Sequence, residues 1–198
     1  APSRPATVYA VIESKRKGKT SDEDKQTTAL YRSDDSGANW AEMNSSFGVQ
    51  VRPFYFATVI VDPQDYNRVY KPGLTLSISI DGGKSFNSIF TGGGGSYHSD
   101  VHAMWVHPQR PNEVLMGTDG GLYLTKNRGG AWLFARNLPL GQFYKVAVDD
   151  QDPYRVYGGL QDNSSWVGPS ESWGGIENKD WTSLSGGDGF APFPDARD

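Results

Sequence analysis

The chain has 198 residues, with 19 Lys and Arg against 23 Asp and Glu, a net charge of −4 and no cysteine. That balance leaves no basic face for a phosphate backbone and argues against nucleic acid as a partner; the missing thiols exclude a disulfide scaffold and thiolate metal sites. No apolar run approaches the ~20 residues of a membrane-crossing helix, while 24 glycines, 12 prolines and an aromatic share of 13% favour short strands joined by tight turns.

The opening "APSRPATVYA" lacks the basic start and apolar middle of a signal peptide. Within the first unit, residues 1–50, the charged stretch "ESKRKGKTSDEDKQTT" (13–28) reads as a solvated insertion between strands. The run "TALYRS" then leads into "SDDSGANW", residues 33–40. In the second unit, 51–96, "FATVIVDPQDYNRVY" turns a proline corner before "LTLSIS" and "SIDGGKSF", residues 79–86. The third unit, 97–140, repeats the order with "HAMWVHPQRPNEVLM", "GLYLTK" and "TKNRGGAW", residues 125–132. A fourth, 141–198, begins with "YKVAVDDQDPYRVYGG", but its "ESWGGIENKDW" matches the eight-residue pattern poorly.

The three boxes fit S/T-x-D/N-x-G-x-x-W/F, and their starts lie 46 residues apart both times. Equal spacing of that kind marks three copies of one supersecondary unit, and 46 residues is the length of a four-stranded propeller blade. No stretch carries apolar residues at helical spacing for more than a turn or two, so helix is expected to be scarce. In each box Ser33, Ser79 or Thr125 and Asp35, Asp81 or Asn127 can accept turn amides. Gly37, Gly83 or Gly129 supplies positive φ, and Trp40, Phe86 or Trp132 turns back to plug the core. Because Asn127 stands where the other boxes carry aspartate, Asp81 reads as a turn residue and not as a catalytic acid.

Three sets of residues outside the boxes are candidates for chemistry. All three histidines fall within ten residues, and in "YHSDVHAMWVHP" His98, Asp100 and His102 alternate, so on a strand they share one face. That face suits a divalent ion, zinc or calcium, or else a hydrogen-bonded polar lining; His107, before proline, reads as a corner residue. Asp119 in "GTDGG", Asp162 and Asn163 in "GLQDN" and Asp188 in "GGDGF" form the second set. Asp119 and Asp162 follow comparable apolar runs, and equivalent places in successive blades ring one axis, where carboxylates suit calcium or a sugar. The competing reading is turn aspartates beside glycine. Trp166 and Trp173 in "NSSWVGPSESWGG" are placed either to stack on a ligand or to cap a core. No pair of acids here earns a catalytic assignment, so whether the chain is an enzyme stays open.

The boxes resemble the Asp-box, or bacterial neuraminidase repeat, of sialidases, xyloglucanase-type glycosidases and sortilin-type propellers. Much of residues 52–190, including "HSDVHAMWVHPQRPNEVLMGTDGGLYLTKNRGGAW" and "LPLGQFYKVAVDDQDPYRVYGGLQDNSSWVGPS", resembles bacterial sortilin-like or "glycosyl hydrolase, BNR repeat" proteins. The expectation is therefore an all-β propeller of about four four-stranded blades with Asp-box hairpins. With fewer units than such relatives, it would be part of a larger ring or complete one with further blades or a partner chain. The resemblance implies an extracytoplasmic binding or scaffolding propeller for a peptide, protein or glycan. The alternative is a glycoside hydrolase using two of Asp119, Asp162 and Asp188.

Overall fold

The computed structural model describes residues 1–16, 25–89, 97–138 and 140–195; residues 17–24, half of the charged stretch at 13–28, lie outside them. Strand β1 (Val8–Ile12) is followed by a short ribbon in which β2 (Lys15–Arg16) pairs with β3 (Lys25–Gln26). With β4 (Ala29–Ser33) and β5 (Ala41–Asn44), β1 forms a sheet of order β1-β4-β5. The second sheet is β6 (Ile60–Val61), β7 (Val69–Lys71), β8 (Ser77–Ser79) and β9 (Asn87–Ser88). The third is β10 (Val101–Val106), β11 (Val114–Thr118), β12 (Gly121–Thr125) and β13 (Leu133–Phe134). The fourth is β14 (Phe143–Val148), β15 (Arg155–Leu160), β16 (Ser165–Pro169) and β17 (Thr182–Ser183). Every pairing is antiparallel, and in the second, third and fourth sheets it joins neighbours in sequence order, the up-and-down meander of a propeller blade; in the first, β1 pairs with β4 across the β2–β3 ribbon.

The fold is thus all-β, and helix is confined, among the described residues, to one turn of α-helix, α1 (Phe47–Gln50), and a 3-10 turn at Asn178–Asp180. None is long and apolar enough to cross a membrane. The first sheet has three strands where four were expected, because residues ahead of Thr7 are tied into turns: Arg4 donates to the Ala1 carbonyl and Thr7 to that of Arg4. The chain divides into two compact units, Ala1–Ala135 with the first three sheets and Arg136–Asp198 with the fourth.

Each box closes the hairpin between the third and fourth blade strands. In the first, the Ser33 hydroxyl donates to Asp35 Oδ1 (2.7 Å) and accepts the Gly37 amide (2.8 Å), while Asp35 accepts the Asn39 amide (2.8 Å). Asp81 accepts the Lys84 and Ser85 amides, both at 3.0 Å, and the Ser85 hydroxyl at 2.6 Å. Asn127 Oδ1 accepts the Thr125 hydroxyl (2.8 Å) and the Ala131 amide (2.9 Å). These bonds hold the carboxyls of Asp35 and Asp81 down at about 2. In the fourth sheet, Val156 pairs with Gly168 where Val8, Val69 and Val114 pair with Ser33, Ser79 and Thr125. Glycine there has no hydroxyl to organise a tight turn, and the loop runs on to Trp181, which packs over Gly168.

The buried core of the first unit lies between the second and third sheets: Tyr70, Leu76 and Ile78 against Val114, Met116, Tyr123 and Trp132, with Val101 and Val106 of β10. The box glycines set how closely the sheets approach. A Cβ on Gly129 (φ 95°) would lie 3.2 Å from Ile78 Cδ1, and one on Gly83 (φ 87°) 2.6 Å from Leu30 Cδ2 in the first sheet.

Candidate functional site

In the first unit the chemistry gathers where a blade's first strand begins and its second strand turns into the third. Thr118 Oγ1 accepts the Gly120 amide at 3.1 Å, holding the β11–β12 turn that carries Asp119. Across the β10–β11 ladder, His102 Nε2 meets Asp119 Oδ1 at 2.8 Å. The two rings before β6 close on the same imidazole: Tyr55 stands edge-on to His102 with centroids 5.2 Å apart, and Phe56 lies at 5.5 Å. Phe56 is buried, whereas Phe54 and Tyr55 are exposed, forming an aromatic ledge beside the polar pair.

Lys71, at the end of β7, is 1% exposed and donates from Nζ to the carbonyls of Phe56 and Pro72. Burial pushes its ammonium down to about 8. Its role is to tie the segment carrying Tyr55 and Phe56 to the second sheet, and nothing in the "VYKPG" pattern marked it as buried.

The alternating face expected of His98, Asp100 and His102 does not form. Strand β10 begins only at Val101, and its pairing with β11 slips between Val101 and Ala103. Asp100 takes a positive φ of 59°, which turns the chain before the strand starts. His98 is held locally: its amide donates to the Tyr123 hydroxyl at 3.0 Å, its Nδ1 lies 3.1 Å from the Ser99 carbonyl, and its side chain fills the space above Gly120. Asp100 accepts the Ser99 hydroxyl at 2.9 Å. Among the described residues no group of three His, Asp or Glu is placed to hold a metal ion. His107 Nδ1 accepts the Gln109 and Arg110 amides at 3.1 and 3.2 Å, organising the corner after β10.

In the second unit Asp162, Asn163 and Asp188 come together at the β15–β16 turn. Asp188 Oδ1 accepts the Asp162 amide at 3.0 Å, and Asn163 Nδ2 donates to the Gln161 carbonyl at 2.8 Å. The Trp166 indole donates to the Asn163 carbonyl at 2.7 Å, which makes it a brace for this turn. Gly159 and Gly189 let the two backbones meet where no Cβ would fit. Beside them Tyr144 and Phe190 stack at 4.6 Å, nearly parallel. Trp173 stands apart in the β16–β17 loop, fully exposed.

Sequence reasoning singled out both His102 and Asp119 but in different sets. What the sequence does not show is the bulge: Val101 pairs with Thr118 and Ala103 with Gly117, so His102 is an extra residue in the ladder at the end of β11, within reach of Asp119 just beyond it. It missed Phe54, Tyr55 and Lys71 altogether.

No protein-family model matches the sequence, and no curated protein matches it. Similar solved structures include the GH74 enzyme of Niastella koreensis, 15% identical with a TM-score of 0.44 over 80% of this chain and 26% of that one. The GH74 xyloglucanase of Xanthomonas campestris is 14% identical, TM-score 0.49, over 93% of this chain and 30% of its own. YCF48 bound to D1 peptide is 15% identical, TM-score 0.42, over 73% and 46%. This chain thus spans less than half the length of each.

Proposed function

We propose that this chain is a ligand-binding segment of an extracytoplasmic β-propeller, and that it holds a peptide, protein or glycan at the ledge of Phe54 and Tyr55 beside His102 and Asp119. The observation that supports this is exposed Tyr55, beside exposed Phe54, standing edge-on to an imidazole whose Nε2 lies 2.8 Å from a carboxylate. Exposed rings supply a stacking surface, and an imidazole oriented by Asp119 offers its remaining nitrogen to one polar group of the ligand. The extracytoplasmic setting rests on the sortilin-like resemblance of the long segment through "HSDVHAMWVHP".

Glycoside hydrolysis asks for a protonated acid facing a second, ionised carboxylate. Asp119 is engaged by His102 and Asp188 by the Asp162 amide, so binding is the reading that the geometry favours. Titration calorimetry with β-glucan oligosaccharides and with an array of extended peptides tests it. At least one class should bind, and Tyr55→Ala and His102→Ala should each weaken that binding at least tenfold with the fold intact. Release of reducing ends from the oligosaccharides would favour the hydrolase instead, and binding untouched by both substitutions would move the site elsewhere.

A further inference from the structure

Two of the blade corners share one sequence. Residues 62–70, "DPQDYNRVY", and 149–157, "DDQDPYRVY", both read D-x-Q-D-x-x-R-V-Y. In the fourth sheet this set closes on itself. Asp149 Oδ1 accepts the Gln151 and Arg155 amides, and its Oδ2 accepts Arg155 Nε at 2.7 Å and the Tyr157 hydroxyl at 3.2 Å. In the second sheet only the first half is repeated: Asp62 Oδ1 accepts the Gln64 and Asp65 amides at 2.9 and 3.2 Å. Asp62 Oδ2, Arg68 Nε and the Tyr70 hydroxyl are buried and hydrogen-bond to no group among the described residues, and Asp62 and Tyr70 are fully buried as whole residues.

What separates the two corners is Arg128, from the box of the third sheet. Its backbone is left-handed, φ 58°, at the place held by Ser36 in the first box and Gly82 in the second. A long side chain there is strained, and such strain is retained where the surroundings hold the side chain to a purpose. Arg128 Nε is also buried without a hydrogen bond and stands 3.8 Å from Asp62 Oδ2, an ion pair too long for a direct bond. Asp62, Arg68 and Arg128 are the charged groups around the Tyr70 phenol, so the four atoms share one polar pocket between the second and third sheets. The junction between the first and second sheets is closed directly instead. There Arg32 Nη1 donates to Asn67 Oδ1 at 3.2 Å, and a Cβ on Gly82 would lie 2.2 Å from that nitrogen.

Four buried polar atoms at one place, each costly without a partner, call for an occupant that serves all of them. The donors are two guanidinium N–H groups and a phenol; the acceptor is one carboxylate oxygen. A cation is repelled by both guanidiniums. A halide accepts the donors but sets a like charge against Asp62 Oδ2. Water accepts two bonds and donates two, and a phenol takes either role. We infer that a single water molecule is bound between Asp62, Arg68, Tyr70 and Arg128, and that it joins the corner of the second blade to the box of the third. It accepts from the two Nε–H groups and donates to Asp62 Oδ2, and the Tyr70 hydroxyl completes its shell.

A crystal structure of the wild-type chain grown in sodium bromide, with diffraction measured at the bromine edge, tests this. The expected result is a peak without anomalous signal within hydrogen-bond distance of at least three of the four atoms. An anomalous peak there identifies an anion site and overturns the proposal. So does Arg68 Nε bonded directly to Asp62 Oδ2, the closure of the fourth sheet, with no density between. Stability gives a second readout. Arg128→Gly relieves the left-handed strain but removes one of the water's partners, so its unfolding constant in urea should rise at least fivefold. Arg128→Lys, which keeps the charge and lacks the Nε–H, replaces it if circular dichroism shows Arg128→Gly unfolded. A folded variant as stable as the wild type means that Arg128 is not held at the pocket, and the link to the third blade is lost.

Discussion

Asp81 accepts two amides and two hydroxyls, and its counterpart Asn127 accepts one of each with an amide oxygen. The charge is thus dispensable and the acceptor is not. Asp81→Ala should cost about 1 kcal/mol by loss of the cap-like bonds, and Asp81→Asn much less. The pH dependence separates them further. With the folded carboxyl held at about 2 against its usual 3.8, the ionised form stabilises the fold above about pH 4, and that contribution is lost as pH falls through about 2. Urea midpoints measured from pH 6 down to 2 should show a shallower acid limb for Asp81→Asn; equal limbs would sink the assignment.

Lys71 works with the opposite sign. Its folded ammonium titrates near 8 and the unfolded one near 10.5, so the unfolded chain binds more protons between them and stability rises with pH over that window, by at most about 1.4 kcal/mol per unit. Buried Tyr70 and partly buried Tyr9 and Tyr97, whose phenols desolvation pushes up, reverse the trend above about 10, because the unfolded tyrosines then ionise first. Urea midpoints between pH 8 and 10 should therefore climb for the wild type and stay level for Lys71→Met. A level wild-type profile would mean that the ammonium is solvated.

Box glycines differ in what they face, and substitution reads that difference directly. Gly37, Gly83 and Gly129 all have φ between 87° and 96°, so alanine costs each about 1 kcal/mol of backbone strain. Gly83→Ala also drives a methyl into Leu30, and should lose about 1–3 kcal/mol more than Gly37→Ala, which meets open space beyond Trp40. Equal losses in denaturant would show that the first and second sheets do not press together there. The positive-φ turn was legible in the sequence as three glycines at one spacing, as were the hairpins and the four repeat units; that these glycines also face a neighbouring sheet was not. The fourth hairpin was not, since Gly168 removes the hydroxyl that the pattern depends on and moves the closing aromatic out to Trp181. Nor was the His102–Asp119 pair, because alternation assumes a strand that starts at His98, and the positive φ of Asp100 delays it to Val101.

The two compact units differ in how much they bury. Among the described residues, the first unit's core spans two sheets and includes fully buried Tyr70, Leu76, Val101, Val114 and Met116, whereas Tyr157 is the large hydrophobic buried in the second. On β14 the exposed side chains include Phe143, Tyr144, Val146 and Val148, so neither of its faces is dry. A unit of that size with little apolar burial has a low free energy of local opening, while ladder bonds beneath a two-sheet core open only with the whole fold. Amide hydrogen exchange followed by mass spectrometry should rank β8, β11 and β12 as the slowest segments and β14 to β16 at least tenfold faster. Protection of β15 equal to that of β11 in the isolated chain would show that the fourth sheet gains apolar cover in solution. The exposed face of β14 would then be the surface to map for it.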